Sequence, residues 1–279
     1  MHSSERLYRC EELTLLQASK LGIHKESVFL LAEPAEVGSH EYRSWRSLLS
    51  HGSRDWIRFD DLETAKNTSA FLMMSSGTTG LPKAAQLSQY NLIAETTLVH
   101  EKPEHREPYH MSRTVCLPMF HAAIAPYCHT TTLRSGRESY IMRRFAMPDF
   151  LTNVRRLRVT SLILVPPMVV AMLNAAKKDR QAENWVRRCL ASVQAVVAGA
   201  APLDASTQVV FQALLPMRSS CTQLLGMAET SCVITYFYHP ENDSTGAVGR
   251  LLTQYRRQNR GSEFRRRQCT GDRTVRCQR

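Results

Sequence analysis

The chain has 279 residues, 43% hydrophobic and 22% charged, enough to bury a core as one large domain or two small ones. Its apolar runs fall far short of the roughly 20 residues that span a bilayer, and the polar start Met1-His2-Ser3-Ser4-Glu5-Arg6 argues against a signal peptide. The net charge of +11 is uneven: residues 254–279 hold nine arginines against Glu263 and Asp272, leaving about +4 on everything before them.

Taken in order, residues from about 7 to 252 alternate short apolar runs with helical patterns, which predicts an α/β fold with a largely parallel sheet. Strands are expected at 28–31, 70–74, 114–117, 161–165 and 195–197. A helix is expected over 148–159, where Phe150, Val154 and Leu157 recur behind Pro148-Asp149. Another is expected over 203–215, where Val209, Val210, Ala213 and Leu214 share a face and Asp204 stands near the start. The polar stretch 101–113 reads as an exposed loop. Eight cysteines, at 10, 116, 128, 189, 221, 232, 269 and 277, include no Cys-x-x-Cys pair. They read as reduced, mostly buried thiols of an intracellular, cytoplasmic protein. After Leu252 neither alternation nor a helical period survives, so 253–279 is expected to be a disordered basic tail beside a domain at 1–252.

The strongest chemical signal is Ser75-Ser76-Gly77-Thr78-Thr79-Gly80-Leu81-Pro82-Lys83, which follows an apolar strand. Gly77 and Gly80 let the backbone turn tightly against an anion. The hydroxyls of Ser75, Ser76, Thr78 and Thr79 are compact donors for phosphate oxygens, and Lys83 adds a positive charge. The pattern is not a P-loop, because Pro82 precedes the lysine and Ala84 follows it. By composition alone, a surface turn rich in serine, threonine and glycine reads as well.

The nine-residue string resembles the signature of the adenylate-forming (AMP-binding) superfamily, which includes acyl-CoA synthetases and coumarate-CoA ligase-like enzymes. Further segments follow in the family's order. Leu117-Pro118-Met119-Phe120-His121 resembles the segment whose histidine borders the acyl pocket, and Val165-Pro166-Pro167-Met168 the next strand-to-helix turn. Gly199-Ala200-Ala201-Pro202-Leu203 resembles the turn whose backbone lies against adenine. Gln223-Leu224-Leu225-Gly226-Met227-Ala228-Glu229 and Gly246-Ala247-Val248-Gly249-Arg250 resemble the stretches after it.

The resemblance implies part of the family's large N-terminal domain, a mostly parallel sheet with flanking helices and no C-terminal lid domain. It also implies activation of a small-molecule carboxylic acid with ATP and Mg²⁺, then thioester formation with coenzyme A as co-substrate. Ser76, Thr78, Thr79 and Lys83 would grip the phosphates and Glu229 would help place Mg²⁺, which prefers oxygen ligands. Backbone at Gly199, Ala200, Ala201 and Pro202, with Leu225, Gly226 and Ala228, would hold the nucleotide. His121 would stand at the acyl pocket. Full-length relatives can be peroxisomal, although no targeting signal is seen here.

Four departures from the pattern matter. Leu225 stands where tyrosine usually stacks on adenine, and Ala228 stands where threonine often binds phosphate. Gln89 replaces a histidine and Ala84 a glycine. A ribose-binding aspartate and the lysine of the small C-terminal domain have no counterpart here, so activity is expected to be impaired by truncation. The rival reading is an inactive remnant or binding protein whose arginine-rich tail meets nucleic acid or an acidic surface. With Tyr255 and Phe264 as its only aromatics, the tail is a poor stacking surface and nucleic acid is not expected as a partner.

Overall fold

Hydrophobic alternation along the strands decides where the core lies. The computed structural model describes residues 15–30, 42–75, 81–101, 107–252 and 274–276. The chain divides into Met1–Arg58 and Phe59–Arg279, a boundary the sequence patterning did not reveal. In the first unit, β1 (Phe29–Leu30) pairs in parallel with β2 (Arg43–Ser44). Ser44 then caps a 3₁₀ helix over Trp45–His51 by accepting from the Arg46 amide.

The second unit contains a five-stranded parallel sheet in the order β6 (Glu138–Ile141), β5 (Ser112–Val115), β7 (Ser161–Leu164), β8 (Ala195–Ala198), β9 (Ser220–Gln223). Successive side chains point to opposite faces. Leu162, Leu164, Val196 and Ala198 enter a core with α4 (Met147–Arg156), α5 (Pro166–Ala176), α6 (Arg180–Cys189) and α7 (Ala205–Gln212). Ile163 faces the other way, toward Tyr127, Cys232 and Val233. Both faces are covered, as a parallel sheet requires.

Helix ends are set by local chemistry. Asp179 accepts from the Ala182 amide at 2.7 Å to start α6, and Asp204 accepts from Thr207 at 2.8 Å to start α7. α4 opens on proline and closes at Arg158, which is left-handed at φ 50° while Val159 N–H reaches the Val154 carbonyl at 3.0 Å. The expected helices at 148–159 and 203–215 are therefore shorter than the patterning suggested.

Other parts of the second unit are antiparallel. β3 (Ser69–Ser75) and β4 (Lys83–Ser88) form a two-stranded hairpin. β10 (Leu225–Met227), β11 (Cys232–Tyr236), β12 (Ala247–Leu251) and β13 (Thr274–Arg276) form a second sheet. β13 falls in the stretch expected to be disordered, and its neighbours in that stretch lie outside the described residues.

The reading of 101–113 as an exposed loop is corrected at its end. Met111, Ser112 and Arg113 are buried, and β5 begins at Ser112 rather than 114. The polar letters misled because Glu107 is spent on an ion pair with Arg137 at 3.1 Å, both side chains largely covered. Glu101 ends a π-helical extension, Thr97–Glu101, of α2 (Gln89–Thr96), which lies in sequence between α1 (Leu62–Asn67) and α3 (Thr132–Ser135). Among the described residues five cysteines are free thiols, and Cys189, Cys221 and Cys232 are buried. No helix among those residues is long and apolar enough to cross a membrane.

Candidate functional site

The β3–β4 hairpin sets both ends of the phosphate-loop candidate. Ser75 closes β3 and Lys83 opens β4, and the two are direct cross-strand partners. Ser76, Gly77, Thr78, Thr79 and Gly80 lie outside the described residues. β4 leads straight into α2 through a reciprocal cap. Ser88 Oγ accepts from the Asn91 amide at 3.2 Å, and Asn91 Oδ1 accepts from the Ser88 amide at 3.1 Å. The hairpin is anchored beneath by Met73, Leu87, Leu92 and Ala125, with Ala122 and Ala228 packed on the same cluster. Segments bearing Lys83, His121 and Glu229 thus share one small core.

Glu229 lies in a single 3₁₀ turn, Ala228–Thr230. Ser75 Oγ donates to Glu229 Oε1 at 2.5 Å across 154 positions of sequence. That hydroxyl is the main reason the exposed Glu229 carboxyl sits below its ordinary pKa. The turn is followed by two left-handed residues, Ser231 at φ 66° and Cys232 at φ 119°. Buried Glu95 of α2 stands behind them, accepting from the Val233 amide and from the Cys232 thiol. Burial pushes the Glu95 carboxyl up to about 8, so it is neutral at physiological pH.

β10 carries Leu225 and Gly226. Leu225 N–H donates to Thr235 Oγ1 at 3.0 Å, and that hydroxyl donates onward to the Val248 carbonyl. A Cβ on Gly226 would fall 1.9 Å from the Cys232 carbonyl oxygen, so no side chain fits there. Leu225 is half-buried and Gly226 exposed, as a surface facing a planar ligand would be.

The Gly199–Leu203 turn leaves β8 at the carboxyl ends of the parallel strands, where crevices form in open α/β sheets. Ala200 is left-handed at φ 68°, and Ala200, Ala201 and Pro202 are exposed. A Cβ on Gly199 would meet Leu224 Cδ1 at 3.1 Å, which brings this turn against the β9–β10 junction. Buried Gln223 holds it. Its Oε1 accepts from Leu203 N–H at 2.9 Å, and its Nε2 donates to the Leu203 carbonyl and to Gln208 Oε1, both at 2.8 Å. Gln223 was not singled out from sequence, although its place at the head of the Gln223–Glu229 segment was signal enough.

His121 begins a helical turn and is exposed. Its Nδ1 accepts from the Ala123 amide at 3.1 Å, which fixes the ring and leaves Nε2 to carry the proton when the imidazole is neutral. Four residues before it and three after, Leu117 and Ile124 line a small cavity against β5.

Among the described residues no group of three or more His, Cys, Asp or Glu side chains could hold a metal ion. One exposed carboxylate beside a phosphate-loop candidate still suits Mg²⁺, which keeps several waters and takes one or two carboxylates plus substrate phosphates.

Comparison with known proteins finds relatives both by sequence and by fold. The AMP-binding enzyme family matches residues 14–257. An acyl-CoA ligase of Aspergillus niger is 42% identical over 233 residues, covering 83% of this chain and 43% of the relative. A phenylacetyl-CoA ligase of the same species is also 42% identical over 233 residues, covering 83% and 42%. The chain thus spans less than half the length of these curated relatives. In fold it resembles the crystal structure of a long-chain-fatty-acid-CoA ligase from Archaeoglobus fulgidus. The TM-score is 0.62 at 22% identity, over 77% of this chain and 42% of that one.

Proposed function

The chain belongs to the family of AMP-binding enzymes, and we propose on that premise that it serves ATP-dependent activation of a carboxylic acid. The acid's carboxylate attacks the α-phosphorus of ATP, giving an acyl-adenylate and pyrophosphate. The thiolate of coenzyme A then displaces AMP to give the thioester. The observation that carries this reading is the Ser75–Glu229 hydrogen bond, which joins the edge of the phosphate loop to an exposed carboxylate.

Chemistry at phosphorus asks the protein for position and charge neutralisation more than for covalent help. Lys83 stands at the mouth of the loop to offset phosphate charge, with Ser76, Thr78 and Thr79 as further donors. Glu229 would be the protein ligand of Mg²⁺, whose contribution is to neutralise the polyphosphate. Ser75 holds the Glu229 carboxylate ionised and aimed. The exposed 199–202 turn and Leu225 would border the adenine from two sides. His121, with its ring fixed by the Ala123 amide, would stand beside the acyl carboxylate.

The phenylacetyl-CoA ligase relative makes small aryl acids the first substrates to try. The test is ATP–pyrophosphate exchange by the purified chain with such acids. Exchange that needs both acid and Mg²⁺, and that falls in Lys83→Ala and Glu229→Gln, supports the reading. A chain that binds neither Mg²⁺-ATP nor any acid would sink it.

A further inference from the structure

Arg113 is a cation carried inside the protein. It lies on β5, the strand between β6 and β7, with 5% of its surface exposed. Among the described residues it has no carboxylate partner, and its Nε is buried without a hydrogen bond. The nearby Glu107 carboxylate is committed to Arg137 at 3.1 Å. The Arg113 guanidinium lies over the Tyr127 ring at 4.8 Å. A ring face offsets part of a charge but accepts no hydrogen bond in the guanidinium plane. A buried guanidinium nitrogen left without an acceptor is costly, and the Arg113 Nε asks for a ligand oxygen to complete it.

The space for that ligand is present. Arg113 lines a cavity of about 10 Å³, room for one atom the size of a water oxygen. By strand register Arg113 shares its sheet face with Ser139 and with Ile163, both on the same wall. The opposite wall is the helical segment bearing Ile124, Tyr127, Cys128 and Thr132. Thr132 Oγ1 and Ser139 Oγ are 3.2 Å apart across the gap, so the cavity has a polar lining beside the cation. Ile124 is one helical turn from His121, so the segment that carries the histidine also supplies part of the cavity wall.

We propose that Arg113 and this cavity form a specificity subsite that receives an oxygen acceptor at the far end of the acid substrate. The subsite rests on the acid-activation reading given above. It selects acids carrying a second carboxylate or a phenolic or carbonyl oxygen remote from the reacting carboxyl. It discriminates against acids of equal length that end in a methyl group or a bare ring edge. The ligand supplies the hydrogen bonds that Arg113 lacks, without proton transfer or covalent change.

The test is equilibrium binding of paired acids to the purified 279-residue chain with Mg²⁺-ATP present. The pairs are phenylacetate against 4-carboxyphenylacetate and 4-hydroxyphenylacetate, and straight-chain monoacids against diacids of four to eight carbons. The wild type should favour at least one acceptor-bearing acid by about tenfold over its plain counterpart. Arg113→Met should erase that preference, with both members of each pair bound alike. Cys128→Leu, which fills the cavity from the opposite wall and leaves the charge alone, should erase it too. Equal binding within every pair, or a preference that survives both substitutions, would overturn the subsite and leave acid activation standing. Failure of every acid to bind the folded wild type would overturn the acid-activation reading, and the subsite with it.

Discussion

Ser75 and Glu229, 154 positions apart, are joined by a 2.5 Å hydrogen bond that links the end of β3 to the 3₁₀ turn before β11. It ties the proposed phosphate loop to the proposed Mg²⁺ ligand. Ser75→Ala removes the donor chiefly responsible for lowering the Glu229 pKa. The carboxyl should then titrate at higher pH, nearer an ordinary glutamate, in a carbon-detected NMR titration. Mg²⁺-ATP should bind more weakly to Ser75→Ala and more weakly still to Glu229→Gln, with metal-free ATP affected less.

Gly226 is a packing requirement. Gly226→Ala places a Cβ 1.9 Å from the Cys232 carbonyl oxygen, in backbone that cannot move without disturbing Ser231 and Cys232. The expected cost is about 3–5 kcal/mol, at the severe end for single substitutions. Urea denaturation of the variant should show a large loss in midpoint, and a normal midpoint would refute the clash.

Gln223 makes three buried hydrogen bonds, two of them to Leu203. Gln223→Leu should destabilise the fold by roughly 2–3 kcal/mol. Hydrogen exchange at the Leu203 amide should speed up more than exchange in β7 or β8. Uniform acceleration would mean that the residue supports the whole core and not the turn.

Glu95 gives stability a pH dependence of definite sign. Its folded pKa is raised from an unfolded value of 4.5 to about 8 by burial. The contribution is therefore fully present below pH 4.5 and is lost as pH rises toward 8, at roughly 1.4 kcal/mol per pH unit. Buried His100 acts in the opposite sense, since burial lowers its pKa and its contribution is lost as pH falls below 6.5. The difference in stability between wild type and Glu95→Gln isolates the carboxyl. The wild type should lose stability relative to the variant steadily from pH 5 to pH 8, and a constant difference would refute the assignment.

Much of this was legible in sequence. The parallel strands at 161–164 and 195–198 announced themselves by apolar runs, and Asp204 announced the start of α7. The loop string and the segment ending in Glu229 were visible as chemistry before any fold was known. Their meeting through Ser75 was not, because a side-chain contact between distant segments leaves no local period. The antiparallel strands β10 to β12 went unread because they are short and their pairing depends on left-handed turns at Ser231 and Cys232. Arg113 was misread because polarity was equated with exposure, whereas here a cation is carried inside on a strand of the main sheet. The signal against that reading was Met111-Ser112-Arg113-Thr114-Val115-Cys116-Leu117, an apolar-rich run with the arginine in its middle.

Ala200 holds φ at 68° with a methyl group where glycine would be at ease, a strain of about 1 kcal/mol or more. Its neighbours Ala201 and Pro202 bring equally little functional chemistry in their side chains. What the turn offers to solvent is main chain, oriented by torsion angles and pinned from beneath by a glutamine. A surface of that kind is indifferent to which small letters spell it. Glycine at 200 would keep the shape with less strain, whereas that one angle relaxing would dissolve it with every side chain in place.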